Sequence, residues 1–141
     1  MDFLKDYLDY AVVGLLGFMS FLMLSLVIER YLYFTRVDPG RFASQDELEV
    51  DLTRNLTTIA TIGSNAPYVG LLGTVLGILI AFFDMGRSGT IETATIMVGL
   101  ALALKSTALG LVVAIPSIVF YNGLLRKVEV LKVRWRRDRA A

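Results

Sequence analysis

The chain contains no cysteine and no histidine. Disulfides, thiol chemistry and the commonest metal ligands are excluded together. Proline is scarce, at Pro39, Pro67 and Pro116 only. The long apolar stretches hold no acidic residue, so no carboxylate pair is available there for acid–base work. GLLGTVLG at 70–77 is glycine-rich, but it is apolar and lies inside such a stretch, where a nucleotide would not sit. No enzymatic activity, cofactor, metal or nucleic-acid partner is expected from this inventory.

Charge is the other scarcity. Only 19% of residues are charged, against about 25% in an ordinary soluble domain. No charged residue occurs from Tyr10 to Ile28 or from Asn55 to Phe83, and from Thr93 to Leu125 the single charge is Lys105. Apolar runs of about 18 residues or more read as transmembrane helices, because roughly 20 residues at 1.5 Å each cross a 30 Å hydrocarbon core. A soluble protein of 141 residues is too small to cover three helices that are apolar on all sides. The expected fold is an all-α membrane protein with three transmembrane helices. A cleaved signal peptide is not expected, since the flank MDFLKDYLDY is acidic and LVIERYLYF is no cleavage site.

What charge there is lies unevenly. The N-terminal flank and the connector between spans two and three carry Lys5 and Arg87. The connector after span one carries Arg30, Arg36, Arg41 and Arg54, and the tail carries Arg126, Lys127, Lys132, Arg134, Arg136, Arg137 and Arg139. Two cations against eleven place the N-terminus outside and the tail in the cytoplasm. The segments follow: 1–35, a first helix with about 10–28 in the membrane; 36–62, a cytoplasmic connector; 63–84, the second transmembrane helix; 85–92, a periplasmic loop; 93–125, the third; and 126–141, a basic cytoplasmic tail. Leu48, Leu52, Leu56 and Ile59 recur at helical spacing and predict an amphipathic helix running into span two. Pro67 falls near the membrane entry, where a proline is tolerated early in a helix or kinks it. Thr93 to Leu125 would measure about 50 Å, too long for the hydrocarbon, so the third helix is expected to continue into the tail. Val128, Leu131 and Trp135 share one face there. The tail is a solvated anchor, a surface for anionic lipid headgroups, or a contact between copies.

Small residues form a pattern. Gly70, Gly73, Thr74 and Gly77 recur at three and four in span two. Gly99, Ala103, Ser106, Gly110, Ala114 and Ser117 do so in span three, within about 80° of arc on a helical wheel. Such stripes let helix backbones approach, and in lipid they mark helix packing. Spans two and three are therefore expected to form an inner layer, with the bulkier span one facing lipid. Thr74 and Thr107 place hydroxyls on these two helices, although either can satisfy itself on its i−4 carbonyl. Pro116 removes one backbone bond, near the carbonyl of Val112, and is a candidate kink. Lys105 is the local anomaly: a charge at the bilayer centre costs at least about 3 kcal/mol. It lies about 18 Å from the start of its span and about 160° around the helix from Thr107. Glu29 and Asp84 stand at the membrane edges, and no acid lies within a span. The lysine pairs with another polypeptide, serves as an interface charge, or snorkels to solvent.

NAPYVGLLGTVLGI (65–78) and STALGLVVAIPSIVFYN (106–122) resemble spans two and three of the ExbB/TolQ/MotA proton-channel family, closest to its ExbB branch. The resemblance covers about half of the chain; span one and the tail fit in layout only. It implies a homo-oligomeric ring, typically a pentamer, in the bacterial inner membrane, with spans two and three lining a pore. It implies an ExbD-like single-span partner in that pore, bearing a membrane aspartate, and a TonB-like protein energised for outer-membrane uptake by the proton-motive force. The family's pore-facing threonines match Thr74 and Thr107, and Ser106 is taken with them as part of the proton pathway. Many relatives carry a span-three glutamate where this chain has Leu102. A long N-terminal extension and extra cytoplasmic helices are also lacking. Service in a TolQ-like envelope-integrity system, or as a non-conducting scaffold, stays open; a flagellar stator fits less well, for want of a large cytoplasmic domain.

Overall fold

The computed structural model describes residues 2–140. It is all-helical: α1 spans Asp2–Arg36, a single 3-10 turn Pro39–Arg41, α2 Gln45–Leu52, α3 Leu56–Ser88 and α4 Thr93–Ala140. α1, α3 and α4 are each long and apolar enough to cross a membrane.

α3 and α4 form an antiparallel hairpin. Gly89 ends α3 with φ 68°, and its N–H bonds the Met85 carbonyl at 3.0 Å. This is the left-handed stop that glycine adopts without a Cβ penalty. The two helices approach most closely at Gly70 and Gly110. A Cβ on Gly70 would lie 2.5 Å from the Ser106 carbonyl oxygen, and one on Gly110 would lie 2.6 Å from that of Ala66. Backbone faces backbone there, so no side chain can give way. Below this crossing, Gly63 packs on Ser117 and Ile118; above it, Gly77 packs on Ala103, and Gly99 on Ala81.

α1 lies against both helices of the hairpin. Val12, Leu16, Met23 and Val27 are buried along one stripe, while Phe18, Phe21, Leu24 and Ile28 point outward. One apolar helix thus presents two apolar faces, one to protein and one to its surroundings, as a membrane helix at the edge of a bundle does.

At the tail end, α2 folds back over the hairpin. Leu48, Leu52, Leu56 and Ile59 join Phe34, Leu124, Val128 and Leu131 in a single buried cluster. Those four residues share an apolar face as expected, but not one helix. α2 stops at Leu52, and Asn55 takes φ 71° before α3 begins. Asparagine is among the few residues that tolerate this conformation, and Thr53 caps the break by bonding the Glu49 carbonyl through both N–H and Oγ1. α3 therefore starts at Leu56, and Pro67 lies in its interior rather than at its opening.

α4 runs unbroken for 48 residues, about 72 Å. The expected continuation of the third span into the tail is present. The helix also continues through Pro116. Its last turns are tied to the connector: Trp135 Nε1 donates to the Phe42 carbonyl at 3.1 Å, and the Arg139 guanidinium donates to the same oxygen. Lys132 reaches Glu49 of α2 at 3.2 Å.

Candidate functional site: the hydroxyl seam between α3 and α4

The small residues of α3 and α4 decide what can meet between them. Gly70, Gly73, Ala103, Gly110 and Ala114 are buried in the seam. Their lack of bulk brings two hydroxyls to the opposite backbone and a third to one of those two. Thr74 Oγ1 lies 2.7 Å from the Ala103 carbonyl and 3.3 Å from that of Gly70. It also bonds the Thr107 hydroxyl directly. Ser106 Oγ donates to the Gly70 carbonyl at 2.9 Å. Self-satisfaction on the i−4 carbonyl is thus the weaker of the bonds Thr74 makes to carbonyl oxygens; the shorter one crosses to the other helix.

Ser106 and Thr107 do not share a face. Consecutive helical residues diverge by about 100°. Ser106 turns toward α1, where a cleft is lined by Lys5, Asp9, Val12, Gly73, Gly77 and Ser106. Thr107 lies half-buried on the other edge of the seam, joined to Thr74. Ser106 is buried between the hairpin helices and shares the Gly70 carbonyl as acceptor with Thr74, while Thr107 meets Thr74 from the other edge.

A hydroxyl has one proton to donate and two lone pairs. Thr74 cannot donate to Ala103, Gly70 and Thr107 at once. One arrangement runs from Thr107 to Thr74 to the Ala103 carbonyl and leaves Thr107 open as an acceptor. The reverse has Thr74 donating to Thr107, whose own proton then points elsewhere. Either hydroxyl can be the donor of this bond, in a low-dielectric setting where hydrogen bonds are strong and unpaired hydroxyls costly. It holds no titratable group.

Lys105 finds its acceptor inside the chain. Its Nζ lies 3.4 Å from the Asp9 carboxylate, with the two side chains 45% and 42% exposed. Asp9 lies in the acidic flank, inside the expected first helix but outside its apolar stretch, where no acid was sought. α1 spans Asp2–Arg36, and its first turns set Asp9 alongside α4. The spacing that brings Val12 into the seam puts Asp9, one turn earlier, beside Lys105.

A second polar centre was not expected. Arg30, fully buried, makes two bonds of 2.6 Å to the Glu29 carboxylate. It also donates to the Asp51 carbonyl at 2.9 Å and lies 4.4 Å from the Tyr33 ring centre. Tyr33 donates its hydroxyl to Asp51. The guanidinium thereby covers the free carbonyl end of α2. The signal is present in ERYLYF, a cation within reach of two aromatic rings, which a count of loop charges does not reveal. Among the described residues no cluster of acidic side chains could hold a metal.

Residues 41–137 match the MotA/TolQ/ExbB proton channel family. The biopolymer transport protein ExbB of Helicobacter pylori strain J99 is 57% identical over 136 residues, covering 96% of this chain and 94% of that protein. The protein of the same name from Aquifex aeolicus is 54% identical over 135 residues, with 96% and 91% covered. The longer Pseudomonas putida protein of that name matches 54% of this chain and 23% of its own length, at 47% identity.

Proposed function

The chain belongs to the MotA/TolQ/ExbB proton channel family, and from that premise we propose that it is a proton-channel subunit that energises TonB-dependent outer-membrane uptake together with an ExbD-like partner. Membership and three apolar helices make it a multi-pass inner-membrane transport protein. The finer reading is a pentameric ring with N-termini in the periplasm and tails in the cytoplasm. α1 forms the outer layer, and the α3–α4 hairpins surround the partner's single helix. Arg126 and Lys127, where the tail leaves the bilayer, meet anionic headgroups.

The observation that carries this reading is the Thr74–Thr107 hydroxyl pair. Ser106 lines the cleft against α1, whereas neither threonine does, and Thr107 is half-buried on the other edge of the seam. In a ring with α1 outermost, that edge turns inward. A hydroxyl pair cannot store a proton near neutral pH, but it can accept a bond from one donor and pass one on. The storing acid must then come from the partner, which agrees with the absence of any acid in the apolar stretches of this chain. Reversal of bond direction within the pair would let a water or the partner's carboxyl exchange its proton without a charge residing on the hairpin.

The test is uptake of an iron–siderophore by cells carrying Thr74→Val or Thr107→Val, with recovery of the intact complex measured in parallel. Each valine keeps the shape and removes the hydroxyl. Loss of uptake by roughly 100-fold, the scale of one proton-transfer group, is expected with assembly retained, and Thr107→Ser is expected to restore part of it. Wild-type uptake by both valine variants would overturn the assignment.

A further inference from the structure

The tail-end layer presents two charged faces of opposite sign, and among the described residues only the loose Arg137–Asp138 pair, at 3.9 Å, engages either. One is on α2. Leu48 and Leu52 are fully buried and fix its orientation, and Ser44 Oγ accepts from the Glu47 N–H at 3.1 Å to cap it. Asp46, Glu47 and Val50 then point outward, with Val50 74% exposed. The other α2 acids are taken: Glu49 pairs with Lys132 and Asp51 holds Tyr33. Among the described residues Asp46 and Glu47 form no ion pair. They border a shallow groove reaching from Phe42 past Val50 to Arg54.

The second face is on α4. Val130, Val133, Arg134 and Arg137 follow the i, i+3, i+4, i+7 spacing and occupy one side of the helix. All four are exposed, and the stripe carries no acid. Arg137 has only the loose neighbour Asp138, at 3.9 Å, among the described residues. The stripe lies about 140° around α4 from the Leu124–Val128–Leu131 face that holds α2. Both faces stand at the same height, since Glu49 meets Lys132 and Phe42 meets Trp135.

We propose that the acidic α2 face of one copy docks on the basic α4 stripe of the next, forming a cytoplasmic collar. This rests on the ring reading and names where neighbouring copies touch outside the membrane. The argument is charge geometry. A contact between two α2 faces, or between two α4 stripes, sets like charges together. With the faces about 140° apart around α4, one neighbour cannot engage both at once, so a head-to-tail contact brings opposite signs together, with Val50 placed against Val130 and Val133. Opposite faces at one height on a single subunit suit a cyclic, heterologous interface. Like-charge juxtaposition also selects against the wrong register.

The chain has no cysteine, so engineered thiols report cleanly. The variant carrying both Val50→Cys and Val133→Cys is purified from membranes with its partner complex and oxidised. A ladder of cross-linked copies is expected on a non-reducing gel, while each single variant gives none. Replacing Asp46 and Glu47 with Arg should cut cross-linking roughly tenfold, the scale of two lost surface ion pairs. Adding Arg134→Glu and Arg137→Glu should restore it. Mass measurement of the complex separates the two failures. An intact oligomer without the ladder overturns the collar and leaves the ring. A monomeric chain overturns both. A ladder indifferent to the charge reversals also overturns the charge-paired contact, as does a ladder abolished by vesicles of anionic lipid, which would assign the stripe to headgroups.

Discussion

At the scale of single residues, two glycines and one ion pair set the terms. Gly70 and Gly110 bring backbone to backbone, and the crossing of Thr74 to the Ala103 carbonyl depends on that closeness. Gly110→Ala is expected to cost about 1–3 kcal/mol through overpacking, read as a lower denaturation midpoint in detergent. Gly14→Ala, whose Cβ meets nothing within 4 Å, serves as the neutral control. A Gly110→Ala protein as stable as the parent would mean that the helices do not cross there. The small-residue pattern was legible in the sequence because period and residue size together admit one use in lipid. The partner of Lys105 was not, because contact between residues 9 and 105 depends on how far α1 slides along α4, and no local pattern encodes that. At their exposure, removing either charge should cost less than about 1 kcal/mol. Reversal is more telling. Lys105→Asp sets two carboxylates side by side and should lower the midpoint, and Asp9→Lys added to it should bring the midpoint back. A double variant no better than the single one would show that the pair does not form.

At the scale of elements, the elbow between α2 and α3 decides where the hairpin starts. The four apolar positions Leu48, Leu52, Leu56 and Ile59 predicted a shared face correctly, because burial follows period. They could not reveal the interruption. A break that preserves the buried face leaves the periodicity almost untouched, and the only local trace was an asparagine. Asn55→Gly is expected to be neutral, since glycine adopts φ 71° freely. Asn55→Val should cost about 1–2 kcal/mol, the penalty of a left-handed residue with a branched Cβ. Thermal unfolding of the two variants tests this; equal midpoints would mean that the elbow straightens into one continuous helix. Arg30 belongs to the same device. Its bonds to the Asp51 and Leu52 carbonyls tie α1 to the end of α2, so the elbow is held from both sides.

At the scale of the whole molecule, the cation count predicts a tail in the cytoplasm and the α3–α4 loop in the periplasm. An impermeant maleimide should label Ser88→Cys in spheroplasts, and Arg136→Cys only after lysis. The reverse pattern would overturn the topology. The pairing of the two small-residue spans was legible, since size and period together demand close packing. What eluded the sequence was the fastening of the tail, because the bonds from Trp135 and Arg139 to Phe42 join positions remote in the chain.

The length of α4 has a mechanical consequence. A continuous helix transmits rotation as a rod does. From Thr107 to Thr93 it extends about 21 Å, and from Thr107 to Ala140 about 50 Å. Pivoting at the threonine by about 5° would swing the loop end by about 2 Å and the tail end by about 4 Å in the opposite sense. A rigid rod pivoting there would be a lever with unequal arms, and its longer arm is the one that Trp135, Arg139 and Lys132 tie to the connector and α2.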